Sequence, residues 1–163
     1  MSRLPLALPI LIALIFICPP ALAEVEKGDR PDFELQDLDG ETHQLSQIDG
    51  DVILLDFWAT WCAPCRSSLP FYDALADEFD GLTAVAISID RSGGDAREFV
   101  DEMGLPNTLV LYDADQDVFS DFNPPTMPTT YLIDGDGVVQ YVHLGFRDRD
   151  KDSIRTQLQK LLD

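Results

Sequence analysis

The run from Val52 to Trp58 constrains the fold of this chain more than any other segment. Asp56 is the one residue that interrupts its apolar side chains. A nearly continuous apolar run of this length is expected of a strand buried on both faces, as in a parallel sheet covered by helices on each side. The run therefore predicts a central strand of an α/β domain.

Helices and strands alternate after this run. Apolar residues recur at spacings of three and four from Cys65 to about Gly81 and predict a helix, with Pro70 kinking it rather than ending it. Beyond it we expect a strand, a helix, a strand and a short helix at 83–89, 95–103, 108–112 and 116–122. This βαβ alternation is typical of a parallel sheet with helices on both faces.

Both ends of the chain indicate antiparallel additions to the sheet. Residues 129–133 and 138–144 flank an Asp-Gly-Asp-Gly turn and predict a hairpin, and 153–162 predicts a closing amphipathic helix. Turn signals at 39–40 and 49–50 indicate a small hairpin or an irregular lead-in at the other end. The sheet should therefore be mixed.

The first 23 residues are interpreted as a secretory signal. Arg3 precedes an apolar run to Ile17, and the small-residue site Ala21-Leu22-Ala23 precedes Glu24. The run is short for a membrane span, which needs about 18 or more apolar residues. We expect an exported protein with a cleaved signal at 1–23 and one domain at 24–163; an uncleaved N-terminal anchor is the alternative.

The charge of the chain excludes several classes of partner. The formal net charge is −19, with 30 acidic residues against 11 basic ones. Nucleic-acid phosphates and anionic lipid surfaces would be repelled by such a surface. We therefore expect no nucleic-acid partner.

Two cysteines remain after the signal is removed, and they form the motif Cys62-Ala63-Pro64-Cys65. A bridge across so short a loop removes little unfolded-state entropy, so it would be a poor structural staple. A helix N-terminus favours a thiolate at Cys62, and Cys65 lies one turn inside the helix, within reach to resolve a mixed disulfide. Pro64 stiffens the first turn and loses no hydrogen bond there. The pattern indicates a redox-active thiol pair.

Metal binding is the alternative for these cysteines. A structural zinc site needs four ligands, and the mature chain adds only His43 and His143, neither of them in a ligand-spaced cluster. Thiolates with an imidazole would suit copper, so a copper-carrying role stays open. An ordinary edge or surface histidine is the favoured interpretation of His143. We expect no metal site.

The run LLDFWATWCAPC at residues 54–65 resembles the active-site strand, turn and helix start of the thioredoxin family. The signal, the lead-in hairpin, the longer middle region and PTTYLID at 128–134 resemble its exported TlpA/ResA-like branch. The resemblance implies a thioredoxin fold: a central mixed β-sheet flanked by helices on both faces, with an N-terminal hairpin extension. It also implies a periplasmic thiol-disulfide oxidoreductase, usually reducing, that needs no cofactor.

Site roles follow from the resemblance residue by residue. Cys62 matches the attacking cysteine, Cys65 the resolving one and Trp61 the flanking tryptophan. Pro128 matches a cis-proline that lies against the disulfide and lets the preceding backbone, here Met127, pair with an extended substrate segment. Without the resemblance a trans bond would be expected, because only about 5 to 6% of X-Pro bonds are cis.

Asp56 is a further candidate, because an acid in a buried apolar strand is rare and costly. A buried carboxyl with a raised pKa near the thiols can take and return the proton that resolution requires. Pairing with a buried lysine is the alternative, although lysines are scarce in this chain. The branch often has a glutamate where this chain has Ser68 and lacks an acid in the preceding strand, so the proton-handling group here is more thioredoxin-like. Thr126 stands where the branch often has a glycine, a difference that we expect to alter the substrate groove.

The expected function is reduction of disulfides in exported proteins, of the kind used in cytochrome c maturation or copper-site assembly. The branch implies disulfide-containing protein substrates and a membrane thiol-disulfide electron donor. The competing hypothesis is a non-catalytic module that carries copper or chaperones a metalloprotein. A peroxidase is disfavoured, because peroxidases of this fold rely on a cysteine in a different motif.

Overall fold

A computed structural model describes residues 24–163, so the expected signal at 1–23 lies outside the described residues. The described elements, in chain order, are β1 (Glu34–Asp37), β2 (Thr42–Gln44), β3 (Val52–Trp58), α1 (Cys65–Glu78), β4 (Leu82–Ser88), α2 (Gly93–Met103), β5 (Thr108–Tyr112), α3 (Asp117–Phe122), β6 (Thr129–Asp134), β7 (Val139–Leu144) and α4 (Lys151–Leu162). Among these residues no helix is both long and apolar enough to cross a bilayer.

All seven strands belong to one sheet, in the order β2-β1-β5-β4-β3-β6-β7. Strands β3, β4 and β5 are parallel to one another, whereas β6 runs antiparallel to β3 and β7 antiparallel to β6. The predicted mixed sheet is therefore confirmed. The N-terminal hairpin is also confirmed, and it extends the sheet because β1 pairs antiparallel with β5.

The central strand β3 is buried along its whole length, as its composition predicts. Its alternate residues belong to two different apolar clusters. Val52 and Leu54 pack with residues of α1 and α4, including Leu75 and Leu158. Leu55 and Phe57 belong to the cluster that contains residues of α2 and α3. Helices thus cover both faces of the sheet, and β3 carries the chain between the two layers to the cysteines.

The helix boundaries differ from the expectation by one to three residues. Helix α2 begins at Gly93 because the Ser92 hydroxyl caps it, accepting a hydrogen bond from the Asp95 amide at 3.4 Å. Gly104 ends α2 in the left-handed conformation. Pro70 lies inside α1 without ending it. These differences move no site residue to another element.

Candidate active site

The two cysteines lie where the central strand meets its following helix. Cys62 is in the loop after β3, and Cys65 is the first residue of α1. Pro64 occupies the capping position of α1, and no side chain caps the first-turn amides there. The positive end of the helix dipole therefore meets the loop that carries Cys62, which is the environment that favours a thiolate.

Cys62 and Cys65 are joined in a disulfide, and their Cα atoms are 5.4 Å apart. Cys65 is fully buried and Cys62 nearly so. Trp61 beside them is 69% exposed, which is unusual for so large an apolar side chain. The structure therefore places a nearly buried redox pair beside an exposed aromatic side chain.

A groove of about 620 Å³ opens at this pair. Its walls are the loop 61–64, the segment 124–127 and the side chains of Ile89, Gln116 and Phe119. The Met127-Pro128 peptide bond is cis, the geometry that the family resemblance implies. Met127 lines the groove, whereas Pro128 is buried behind it. The groove thus lies directly beside the disulfide, with Cys62 in its wall.

Asp56 is 1% exposed on β3, directly opposite Thr130 on β6. The Thr130 hydroxyl donates a hydrogen bond to Asp56 Oδ1 at 3.0 Å, and Oδ2 has no hydrogen-bond partner. Burial raises the pKa of Asp56 well above its usual range, while the Thr130 hydrogen bond and the nearby Ser68 hydroxyl act in the opposite direction. The polar neighbours of Asp56 are thus hydroxyl groups, and the alternative of a buried lysine is wrong.

Ser68 connects the Asp56 environment to the resolving cysteine. It is fully buried one turn along α1 from Cys65, and its hydroxyl donates to the Cys65 carbonyl oxygen at 3.3 Å. The same side chain lies close enough to Asp56 to lower its pKa. Asp56 and Cys65 therefore share a neighbour under the first turn of α1.

A second buried carboxylate holds the loop that leads to Cys62. Asp90, which follows β4, accepts hydrogen bonds from the Thr60 amide and the Thr60 hydroxyl, both at 2.9 Å. The Ser88 hydroxyl donates to the same carboxylate at 3.1 Å. Because Thr60 lies two residues before Cys62, Asp90 ties the active-site loop to the neighbouring strand.

The described residues contain one group of three potential metal ligands, and neither cysteine belongs to it. Asp37, Glu41 and His43 of the N-terminal hairpin place their ligand atoms within 4.8 Å of one another. The tight turn between β1 and β2 brings the three side chains together. His43 Nε2 lies 3.1 Å from Asp37 Oδ2, an ordinary hydrogen bond across the hairpin.

His143 lies on the edge strand β7, as predicted, and its side chain is mostly buried. Its Nδ1 is 3.3 Å from the Tyr141 hydroxyl and its Nε2 is 3.6 Å from Asp150 Oδ2. Its described neighbours are thus a phenol and a carboxylate rather than the thiols.

Several residues of the site were not found by sequence reasoning. Tyr72 lies on the apolar face of α1, so its sequence position gives no sign that its hydroxyl is hydrogen-bonded to Thr130. Thr130 is one of two adjacent threonines in a strand, and only the register of β6 against β3 shows that it faces Asp56. Asp90 follows a buried strand, which is a signal that could have identified it.

Comparison with known proteins agrees with this geometry. Residues 28–142 match the AhpC/TSA family. The thioredoxin-like protein YneN of Bacillus subtilis is 37% identical over 126 residues, which cover 74% of this chain and 73% of YneN. The thiol-disulfide oxidoreductase ResA of Geobacillus kaustophilus is 32% identical over 133 residues, covering 80% of this chain and 75% of ResA.

A solved structure supports the same likeness. A putative thiol:disulfide interchange protein DsbE from Chlorobium tepidum superimposes with a TM-score of 0.81 at 35% identity, over 86% of this chain and the whole of that chain. That protein and ResA are both named for exchange between thiols and disulfides. The disulfide at the groove described above is the group that such exchange requires.

Proposed function

Because this chain belongs to the AhpC/TSA family of thioredoxin-like proteins and is a thiol-disulfide oxidoreductase of the ResA/DsbE type, we propose that it reduces disulfides in exported proteins. The observation that carries this proposal is the Cys62–Cys65 disulfide at the mouth of a groove, with a buried carboxyl behind it. The groove suits a protein segment, and the pair supplies two electrons when it is in its reduced dithiol form.

Reduction begins with the thiolate of Cys62 in the reduced protein. It attacks one sulfur of the substrate disulfide, so a Cys62–substrate bond forms as the substrate S–S bond breaks. The other substrate sulfur leaves as a thiolate and takes up a proton. A thiolate is required because the neutral thiol is a poor nucleophile.

Cys65 then resolves the mixed disulfide. Asp56 accepts the proton of the Cys65 thiol, and the Cys65 thiolate attacks the sulfur of Cys62. The Cys62–Cys65 bond forms while the mixed disulfide breaks, and the second substrate sulfur leaves as a thiolate that can recover the proton. Two electrons have moved to the substrate, and the protein is left in the disulfide form described above.

Asp56 suits this step because it is buried beside Ser68, whose hydroxyl bonds the Cys65 carbonyl. Burial raises the pKa of Asp56, which makes this carboxyl a better acceptor for the Cys65 proton than an exposed aspartate. Many relatives of the TlpA/ResA-like branch carry a glutamate where this chain has Ser68. The carboxyl here comes from β3 instead and occupies adjacent space.

The groove gives the substrate its orientation. The backbone of Met127, before cis Pro128, would pair with an extended substrate segment, and the exposed Trp61 would cover it from the other side. Apolar walls at Phe119 and Ile89 favour apolar residues next to the substrate cysteine.

We further propose that residues 1–23 are a cleaved signal and that the domain at 24–163 works in the periplasm. A reductant in an oxidising compartment must be re-reduced, so a membrane thiol-disulfide donor is required. Cytochrome c maturation and copper-site assembly are the tasks that fit such a reductant. Mass spectrometry of the exported protein should find an N-terminus at Glu24; an intact Arg3 would favour an anchored form.

The direction of the reaction is tested by the reduction potential of the Cys62–Cys65 pair. The mature protein is equilibrated with glutathione or dithiothreitol buffers, and the oxidised fraction is read from the fluorescence of the protein. A value well below about −200 mV supports a dedicated reductant, as thioredoxin near −270 mV exemplifies. A value near −120 mV would identify an oxidant and contradict the proposed direction.

A further inference from the structure

A chain of buried hydroxyl groups extends from Asp56 on the side away from Ser68. The Thr130 hydroxyl, 3.0 Å from Asp56 Oδ1, is also 2.7 Å from the hydroxyl of Tyr72 on α1. All three residues are at most 2% exposed. The three groups therefore exchange hydrogen bonds with one another and not with bulk water.

The hydrogens in this chain can be assigned from the chemistry of the groups. An ionised carboxylate is an acceptor only, so the single hydroxyl hydrogen of Thr130 must point at Asp56. Thr130 Oγ1 then has only lone pairs left for Tyr72, whose hydroxyl must donate to it. The ionised form of Asp56 and a donating Tyr72 hydroxyl therefore require the same orientation of the Thr130 hydroxyl.

Tyr72 can act as this donor over the whole working pH range. Burial raises the pKa of Tyr72 above its usual value, and the negative charge of Asp56 raises it further. The phenol therefore stays protonated. Because Oδ1 of Asp56 is engaged by Thr130 while Oδ2 has no partner, Oδ2 is the oxygen left to take up a proton.

Other ionisable groups surround the side chains of Asp56, Thr130 and Tyr72 and act on them electrostatically. Tyr131 on β6 and Asp56 are electrostatically coupled, and Tyr141 on β7 and Asp150 before α4 both raise the pKa of Tyr72. His143 on β7 is the cross-strand neighbour of Thr130 and contacts Tyr141 and Asp150. On α1, Ser68 lies beside Asp56, and its hydroxyl donates to the Cys65 carbonyl oxygen.

We propose that Tyr72 is a positioning residue of the exchange reaction: its hydroxyl holds the Thr130 hydroxyl as a donor to Asp56 and thereby favours the ionised carboxylate that accepts the Cys65 proton. This inference rests on the proposed role of Asp56. It adds the hydroxyl groups of Tyr72 on α1 and Thr130 on β6 to the residues that act on the proton held by Asp56.

The test is the pH dependence of Tyr72→Phe, which keeps the ring and removes the donor. Reduction of a disulfide peptide by the reduced protein is followed between pH 5 and 9. We expect the rate on the acidic side of the profile to fall about three- to tenfold, the worth of one neutral hydrogen bond, with the alkaline rate unchanged. The matched control is Tyr141→Phe, which loses a hydroxyl that bonds His143 instead and should keep the wild-type profile.

Carboxyl NMR of the aspartates gives a readout independent of turnover. The Asp56 signal, identified by its loss in Asp56→Asn, should titrate at higher pH in Tyr72→Phe than in the wild type. Thr130→Val should move it in the same direction, and Thr130→Ser should restore it because serine keeps the hydroxyl. The two Thr130 variants also answer the question if Tyr72→Phe does not fold.

The inference would be overturned if Tyr72→Phe and Thr130→Val changed neither the pH at which Asp56 titrates nor the acidic side of the pH–rate profile, its acidic limb. If Asp56→Asn removes the acidic limb while the hydroxyl variants behave as wild type, the proposed role of Asp56 stands and only the inference fails. If Asp56→Asn leaves the profile unchanged, both the role of Asp56 and the inference are overturned.

Discussion

Replacing Asp56 with asparagine should stabilise this protein increasingly as the pH rises. The carboxyl is buried against a hydroxyl, with one oxygen unpartnered, and burial raises its pKa well above its usual range. In the unfolded chain the same group ionises near pH 3.9. Between those two pKa values the folded protein holds a proton that the unfolded chain has released.

The sign and size of the effect follow from this difference in bound protons. Because the folded state binds more protons, the stabilising contribution of Asp56 is complete below the unfolded pKa and is lost as the pH rises to the folded pKa. The slope is about 1.4 kcal/mol per pH unit for one proton. The asparagine side chain cannot ionise, yet its oxygen can still accept from Thr130. The free energy of unfolding of Asp56→Asn should therefore rise relative to that of the wild type by about 1.4 kcal/mol for each pH unit between the two pKa values.

The assay is urea denaturation of the oxidised proteins at pH values from 4 to 9. Asp101→Asn is the matched control, because it makes the same chemical change on an exposed residue of α2 and should run parallel to the wild type. The pH at which the Asp56→Asn difference levels off measures the folded pKa of Asp56. Parallel curves for wild type and Asp56→Asn would refute the argument that a costly buried carboxyl stands behind the thiols.

Three further predictions concern the loop, the groove and the surface. Asp90→Ala leaves the Thr60 amide and hydroxyl without their acceptor, so it should lower the free energy of unfolding in urea by about 2–4 kcal/mol and slow thiol-disulfide exchange. Asp90→Asn keeps one acceptor oxygen and should lower it less. Equal stability of Asp90→Ala and the wild type would contradict this prediction. Phe119→Ala removes an apolar wall of the groove and should raise KM for a disulfide peptide about three- to tenfold, since burial of apolar surface contributes only when the substrate is bound; an unchanged KM would place the substrate elsewhere. Raising NaCl to about 1 M shortens the Debye length to about 3 Å and so screens the repulsion among the 30 acidic residues, which outnumber the 11 basic ones. The Tm should therefore rise by several degrees. A falling Tm would show that attractive ion pairs dominate.

The central part of the fold could be predicted from the sequence because its signals are local. The apolar run of β3, the periodicity of α1 and the turn before β7 each depend on neighbouring residues, and all three elements appear where expected. The cysteine motif is equally local. A family resemblance added the cis bond at Pro128, which its own residues would not have predicted.

The missed features depend on contacts between distant residues. The hydroxyl of Tyr72 meets Thr130 58 residues further along the chain, and Thr60 meets Asp90 30 residues further along. A tyrosine at an apolar helix position is indistinguishable from core until the strand register is known. The hydrogen-bond partner of Asp56 could not be predicted for the same reason. A buried acid is recognisable from the sequence, but its hydrogen-bond donors are not.

The pairing of the N-terminal hairpin is another feature that the sequence did not determine. The turn at Asp39-Gly40 predicts a hairpin, yet nothing local indicates that β1 would pair with β5. The backbone amides and carbonyls that join Gln36 to Tyr112 are common to all residues.

The most direct test of the central claim is to trap the mixed disulfide with the Cys65→Ser variant. The mature variant is incubated with a disulfide-containing protein, and its conjugates are separated without reductant and identified by mass spectrometry. We expect conjugates joined through Cys62 to accumulate, and none from Cys62→Ser, because Cys62 attacks and Cys65 is needed to release the substrate. Absence of conjugates from Cys65→Ser would contradict an exchange enzyme and favour a carrier without turnover.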